Sequence, residues 1–160
     1  MPQSLAGHLR ETIDRERPAL AALPESLASL HPAGPSSWSP KQELGHLIDS
    51  AVNNHLRFVQ SAVSEAPVSF QTYAQNSWVE LHAYHSMPWS EIIAAWYTHN
   101  ALIVRFLEQL PAAALTHTGA FANEPPVTLR FLAEDYIVHM QHHLDHLLQR
   151  ENITPYPQVL

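Results

Sequence analysis

Four histidines fall within eight residues near the C-terminus, in the run His139-Met-Gln-His142-His143-Leu-Asp-His146. Imidazole is the side chain that most readily binds a metal or carries a proton near neutral pH. On a helix, residues i and i+4 lie about 40° apart around the axis and one turn apart along it. Two imidazoles so placed can converge on one ion. The run contains two such pairs, His139/His143 and His142/His146, and spacing does not choose between them. Leu132, Tyr136, His139, His143 and His146 continue a single stripe by steps of four, three, four and three, flanked by Ile137, Met140, Leu144 and Leu147. Histidines that continue an apolar stripe point inward, where an unpaired imidazole is costly. The competing explanation is hydrogen bonding within a core or partial exposure to solvent.

His46 is a less obvious candidate. Its helical neighbours Gln42, Asp49, Ser50 and Asn53 form a polar stripe, and periodicity alone favours a solvated face. The other reading is a stripe that lines a wet pocket, with Asp49 or Asn53 supporting a ligand or facing a substrate. His99 continues the apolar stripe of a later helix and reads as a core residue. His82 and His85, near Trp78 and Tyr84, lie in a segment placed to cover a pocket mouth, but read as surface. His8, His31, His55 and His117 read as surface too. Packing accounts for Trp38, Trp89 and Trp96, whereas Trp78 is a candidate for the pocket lining.

The elements that must position these residues are helical, with only four glycines in the chain and no convincing alternating strand. A first amphipathic segment spans about Ser4–Leu23, with Pro18 and Pro24 kinking or ending it. The second helix has a clear start: Ser39 as N-cap, Pro40 in the first helical position and Gln42 completing a capping box. It runs to about Val63 and buries Leu44, Ile48, Ala51, Val52 and Val59. A short helix or loop covers Thr72–Tyr84. The third helix spans about Pro88–Leu110 with the stripe Ile92, Trp96, His99, Ile103, Phe106 and Leu110, and Pro111 ends it. Residues 111–127 read as a loop, and the fourth helix spans about Thr128–Arg150. The expected fold is all-α: a four-helix bundle with an irregular segment between helices 2 and 3. It forms one domain over residues 1–160, most simply up-down-up-down unless the 64–88 connection crosses over.

Composition narrows the function. Apolar residues make up 46% of the 160 residues and charged ones 14%, which suits a packed core. A formal charge of −7 without a basic run argues against a nucleic-acid partner. The absence of cysteine excludes disulfides, thiolate metal sites and a protein thiol nucleophile. Charged residues from Arg10 to Arg17 do not fit a signal peptide, and no run of about 18 apolar residues could span a membrane. A cytoplasmic location is therefore expected.

Two segments carry a family resemblance. The run from Trp38 through His46, Asp49, Ser50 and Arg57 to Phe58 resembles the second-helix signature of the DinB/YfiT-like superfamily. That signature has a Trp-Ser/Thr helix start, then a histidine, an apolar pair and Asp-Ser, with Arg-Phe about eight residues on. Thr128 to Leu144 resembles the last helix of the same family, whose motif reads His-x-x-His-His. The order of the helices agrees as well, so the resemblance covers nearly the whole chain. It implies a DinB/YfiT-like bundle holding one divalent metal ion (zinc, nickel or iron) on His46, His139 and His143, with His142 a neighbour and not a ligand. The chain departs from the family pattern at His146, where relatives usually carry glutamine; a hydrogen-bonding role inside the bundle is expected there. Members of the family often pair, and a homodimer is expected on that ground alone.

Three neutral imidazoles leave coordination positions open for water or substrate. The resemblance implies a small-molecule reaction, foremost the activation of a low-molecular-weight thiol for S-transfer to an electrophile. The alternative is a metal-dependent hydrolase in which hydroxide at the metal attacks an amide or ester. A metal-binding stress-response bundle without turnover is the third reading. Asp49 is the best local candidate for a catalytic base. Ligand histidines must be neutral to bind, so metal is expected to leave as pH falls through and below about 6.

Overall fold

The computed structural model describes residues 1–157. Four long helices dominate: α1 (Pro2–Ala22), α3 (Pro40–Val63), α5 (Trp89–Gln109) and α6 (Leu129–Leu147). Two short helices, α2 (Glu25–Ala28) and α4 (Gln75–His82), lie in the connections. The expected capping box forms at α3: the Gln42 amide N–H donates to Ser39 Oγ, and the Ser39 N–H donates to Gln42 Oε1. Thr128 caps α6 by accepting the Phe131 N–H at 3.2 Å. Helix α1 passes through Pro18 without ending. Pro18 is exposed there, so water can satisfy the carbonyl that loses its intrahelical donor.

Helix α1 packs on α5 and α6, and α3 also packs on α5 and α6. The first two long helices in the chain, α1 and α3, thus occupy opposite corners of the bundle. This departs from a simple neighbour-to-neighbour arrangement. The connection from 23 to 39 carries the chain across, and α2 is fastened at its start by Glu25, which pairs with Lys41 and accepts the Trp89 N–H.

The irregular 64–88 connection and the 111–127 segment read as a loop together hold a small sheet. Strand β1 (Val68–Phe70) pairs in parallel with β2 (Thr118–Phe121), and β2 pairs antiparallel with β3 (Val127–Thr128). These strands are too short to show a period in sequence, and β1 finds its partner about fifty residues away. Gly119 allows the pairing, since a Cβ there would stand 2.1 Å from Phe70 Cζ.

The core combines Leu9, Ile13 and Leu20 of α1 with Leu44 and Phe58 of α3, Trp96 and Ile103 of α5, and Leu144 of α6. On α3 the expected burial is partly reversed. Val52 and Val59 are exposed, whereas the polar stripe holding Glu43, His46, Asp49 and Ser50 is buried. That stripe faces α6 and the 64–88 connection, not solvent. Among the described residues no helix is long and apolar enough to cross a membrane.

Candidate metal centre

Helices α3 and α6 pack side by side, and that contact brings His46 to His139 and His143. One ring nitrogen from each of the three lies within 4.8 Å of the other two. His46 Nε2 and His139 Nε2 stand 3.4 Å apart. Two nitrogens bound tetrahedrally to one zinc, each at about 2.0–2.1 Å, are separated by about 3.4 Å. The spacing therefore fits ligands on a shared ion. Ring centroids are 5.3 Å apart for His46/His139, 4.8 Å for His46/His143 and 4.6 Å for His139/His143, all near edge-to-face.

Burial prepares the pair electrically. His46 is pushed down to about 3 by desolvation and then by the His143 imidazole. His139 is pushed down to about 2 by desolvation and then by His143, His46 and His142. Both rings are thus neutral at physiological pH, the state in which imidazole binds a metal.

Glu43 orients the third ring. His143 Nδ1 lies 3.0 Å from Glu43 Oε1, so the ring donates there and turns Nε2 toward the other two histidines. His146 Nδ1 donates to the same carboxylate, at 2.8 and 3.0 Å to its two oxygens. His146 therefore hydrogen-bonds as expected, but from the exposed rim instead of the bundle interior. Glu43, the residue one turn before His46, was missed in the sequence reading because first-turn acids are common at helix starts. Its i,i+3 relation to His46 was the available signal.

Tyr156, which no sequence signal marks, belongs to the tail after α6. Asp145 accepts the Thr154 N–H and hydroxyl at 2.9 and 2.6 Å. Arg150 donates to Asp145 and to the fully buried Glu16. These bonds lay the tail back along α6. Tyr156 then rests 5.1 Å from the His139 ring and donates to Asp135 at 2.9 Å. Trp38 covers His46 from the other side at 5.1 Å. His142 points elsewhere, its Nδ1 donating to the Thr154 carbonyl at 2.8 Å.

Asp49 lies one turn beyond His46 on α3. Its Oδ1 accepts the Tyr84 hydroxyl at 2.7 Å and lies 2.9 Å from His82 Nδ1. Burial raises the Asp49 carboxyl above its usual range, against the opposing pull of Tyr84 and His82. Tyr73, pushed up to about 12 by burial and then by the Asp49 charge, adjoins the same cluster. Trp78 stacks edge-on against Tyr73 and His82. Asn53 lies outside this cluster and donates to the Asp49 backbone carbonyl. The remaining histidines lie away from the three. His99 is half-buried, edge-to-face with His55, with its Nε2 unpartnered. His117 and His31 bond to the Ser61 and Ser37 carbonyls, and His8 and His85 are exposed.

A helical bundle in which three histidines converge between two helices, two of them held neutral by burial, offers a ligand set suited to one metal ion. The model of the DinB superfamily matches residues 8–147, and the chain belongs to that family. Among solved structures it is similar to YfiT from Bacillus subtilis, described as a probable metal-dependent hydrolase with an unusual four-helix bundle topology. The two share 21% identity at a TM-score of 0.80, over 92% of this chain and 84% of that one. It is also similar to a mycothiol-dependent maleylpyruvate isomerase at 10% identity and a TM-score of 0.67, and to a histidine-to-alanine mutant of it at 11% and 0.70. The chain spans about 60% of the length of the isomerase structures. These likenesses establish the fold. No curated protein matches in sequence.

Proposed function

We propose that this chain is a metal-dependent enzyme acting on small molecules, with His46, His139 and His143 as ligands to one divalent ion. The reaction favoured is transfer of a low-molecular-weight thiol to an electrophile. The observation that carries the reading is the convergence of three ring nitrogens within 4.8 Å, two of them at the separation a shared ion requires. A zinc, nickel or iron ion held there supplies a Lewis acid that makes a thiol or water in the remaining position more acidic. The protein's own part is to keep the His46 and His139 imidazoles neutral, to fix the His143 tautomer through Glu43, and to enclose the site with Trp38 and Tyr156. Because the chain has no cysteine, the attacking sulfur comes from a cosubstrate.

Hydrolysis of an amide or ester is the second reading, and its support is the likeness to YfiT over most of both chains. The deciding experiment incubates metal-loaded protein with several biological thiols and a generic electrophile, and in parallel with chromogenic esters and amides. Metal-dependent conjugate formation with one thiol supports transfer. Thiol-independent cleavage supports hydrolysis. No metal-dependent turnover in either arm overturns the enzyme reading.

A further inference from the structure

A second cluster, one turn along α3 from His46, joins a buried carboxylate to a half-exposed imidazole. Asp49 is 1% exposed and shares a helix face with His46, about 5 Å further along the axis. Its Oδ1 takes two donors, the Tyr84 hydroxyl and His82 Nδ1, while its Oδ2 is buried without a partner. Tyr84 is locked in place because its ring lies on the α3 backbone, where a Cβ on Gly45 would meet Tyr84 Cδ2 at 2.1 Å. His82 closes α4 with its ring edge against Trp78 and Tyr84, and its side chain is 49% exposed. With Nδ1 turned to the carboxylate, Nε2 is left as the basic nitrogen of an accessible ring. Arg57 adds no competing partner, since it is bound to Asn54 Oδ1 and the Gln71 carbonyl; Tyr73 is the remaining titratable neighbour.

The geometry points to His82 as the proton acceptor for the reaction at the three-histidine site, with Asp49 as its positioning residue; this rests on the enzyme reading above. An ordinary surface ion pair does not bury its acid so completely and fix it with a locked tyrosine. The thiol S–H proton passes to His82 Nε2 and the bonding pair stays on sulfur. Sulfur then forms a bond to the electrophilic carbon. The leaving group departs with its bonding pair and takes the proton from the imidazolium, returning His82 to its neutral form. Asp49 fixes the tautomer and balances the transient positive charge, as carboxylates do behind catalytic histidines. Water as nucleophile loses its proton by the same route.

His82→Asn tests this, because the asparagine amide keeps a donor toward Asp49 but has no basic nitrogen. In the metal-loaded full chain, kcat/KM is expected to fall by about 10²–10⁴ with metal stoichiometry unchanged. Free imidazole should restore part of the activity of His82→Ala. An effect under threefold, or failure of rescue, overturns the assignment. A second readout does not depend on turnover: in metal-free protein, nitrogen NMR of the His82 ring should show the proton held on Nδ1 in wild type and a mixture of tautomers in Asp49→Ala, and coincident spectra overturn the pairing. If wild type shows no metal-dependent turnover, the enzyme reading and the role of His82 as acceptor fall together. If wild type turns over and His82→Asn matches it, only the present inference fails.

Discussion

Glu43 is the residue whose removal most cleanly separates ligand orientation from ligand identity. It binds no metal in this account, yet its carboxylate fixes His143 at 3.0 Å and is itself almost fully buried. Glu43→Ala leaves the His143 Nδ1–H without an acceptor and frees the ring to rotate. A hydrogen bond to a charged group contributes about 1.5–3 kcal/mol. Loss of a partner that orients a ligand typically weakens metal affinity about 10–100-fold, or about 1.4–2.8 kcal/mol. The two ranges agree, so a 10–100-fold rise in Kd is expected, read by competition with a chromogenic chelator at neutral pH. His146→Ala is the matched control, since His146 uses the same carboxylate from the exposed rim and should change Kd by less than about threefold. Glu43→Ala also removes a first-turn acid from α3, which costs about 0.3–1 kcal/mol of stability and appears in Tm, not in affinity. A Kd for Glu43→Ala within twofold of wild type would refute the claim that this contact positions His143.

The depressed values of His46 and His139 predict acid sensitivity of the metal-free fold. Unfolded, both protonate near 6.5, so stability is fully present above that pH and falls as pH drops toward about 3, by up to about 2.7 kcal/mol per unit for the two; denaturant melts between pH 7 and 5 check this, and a flat profile contradicts it. For the same reason, protonation of these two rings in the folded protein does not begin near pH 6, and loss of metal on acidification should track unfolding by circular dichroism. Gly45→Ala should lower Tm, because about 1–3 kcal/mol of overpacking against Tyr84 exceeds the helix-propensity gain of at most about 1 kcal/mol; a raised Tm would contradict the close approach. Arg150→Ala strips the buried Glu16 of its strongest partner and should cost about 2–3 kcal/mol, the low side for a broken buried pair because Arg150 is one-third exposed. It should also speed metal exchange by loosening the tail that carries Tyr156, and an unchanged melt would contradict both effects.

The long helices were legible because their signals are local. Ser39, Pro40 and Gln42 mark the start of α3, and the four-three steps of α5 mark its buried face. The three strands were not legible, since two to four residues show no period and their pairing is set by tertiary approach at Gly119. The arrangement of helices around the bundle was likewise closed to a reading of amphipathic faces. At the candidate centre, spacing offered His139/His143 and His142/His146 equally, and the choice came from family resemblance. The structure distinguishes them physically: His143 and His139 face His46, while His142 is turned to the Thr154 carbonyl. His46 was obscured because a polar stripe on a helix ordinarily faces water. Here it is covered by α6 and the irregular segment, which also brings His82, exposed as its sequence position suggests, against Asp49.

If His46, His139 and His143 hold one ion together, each of the three is needed for it. Metal content per chain, measured by elemental analysis on folded wild type and on His46→Ala, His139→Ala, His143→Ala and His142→Ala, tests it most directly. About one ion is expected in wild type and in His142→Ala, and none at stoichiometric level in the other three. Equal loss in His142→Ala, or full retention in any of the three, would contradict it.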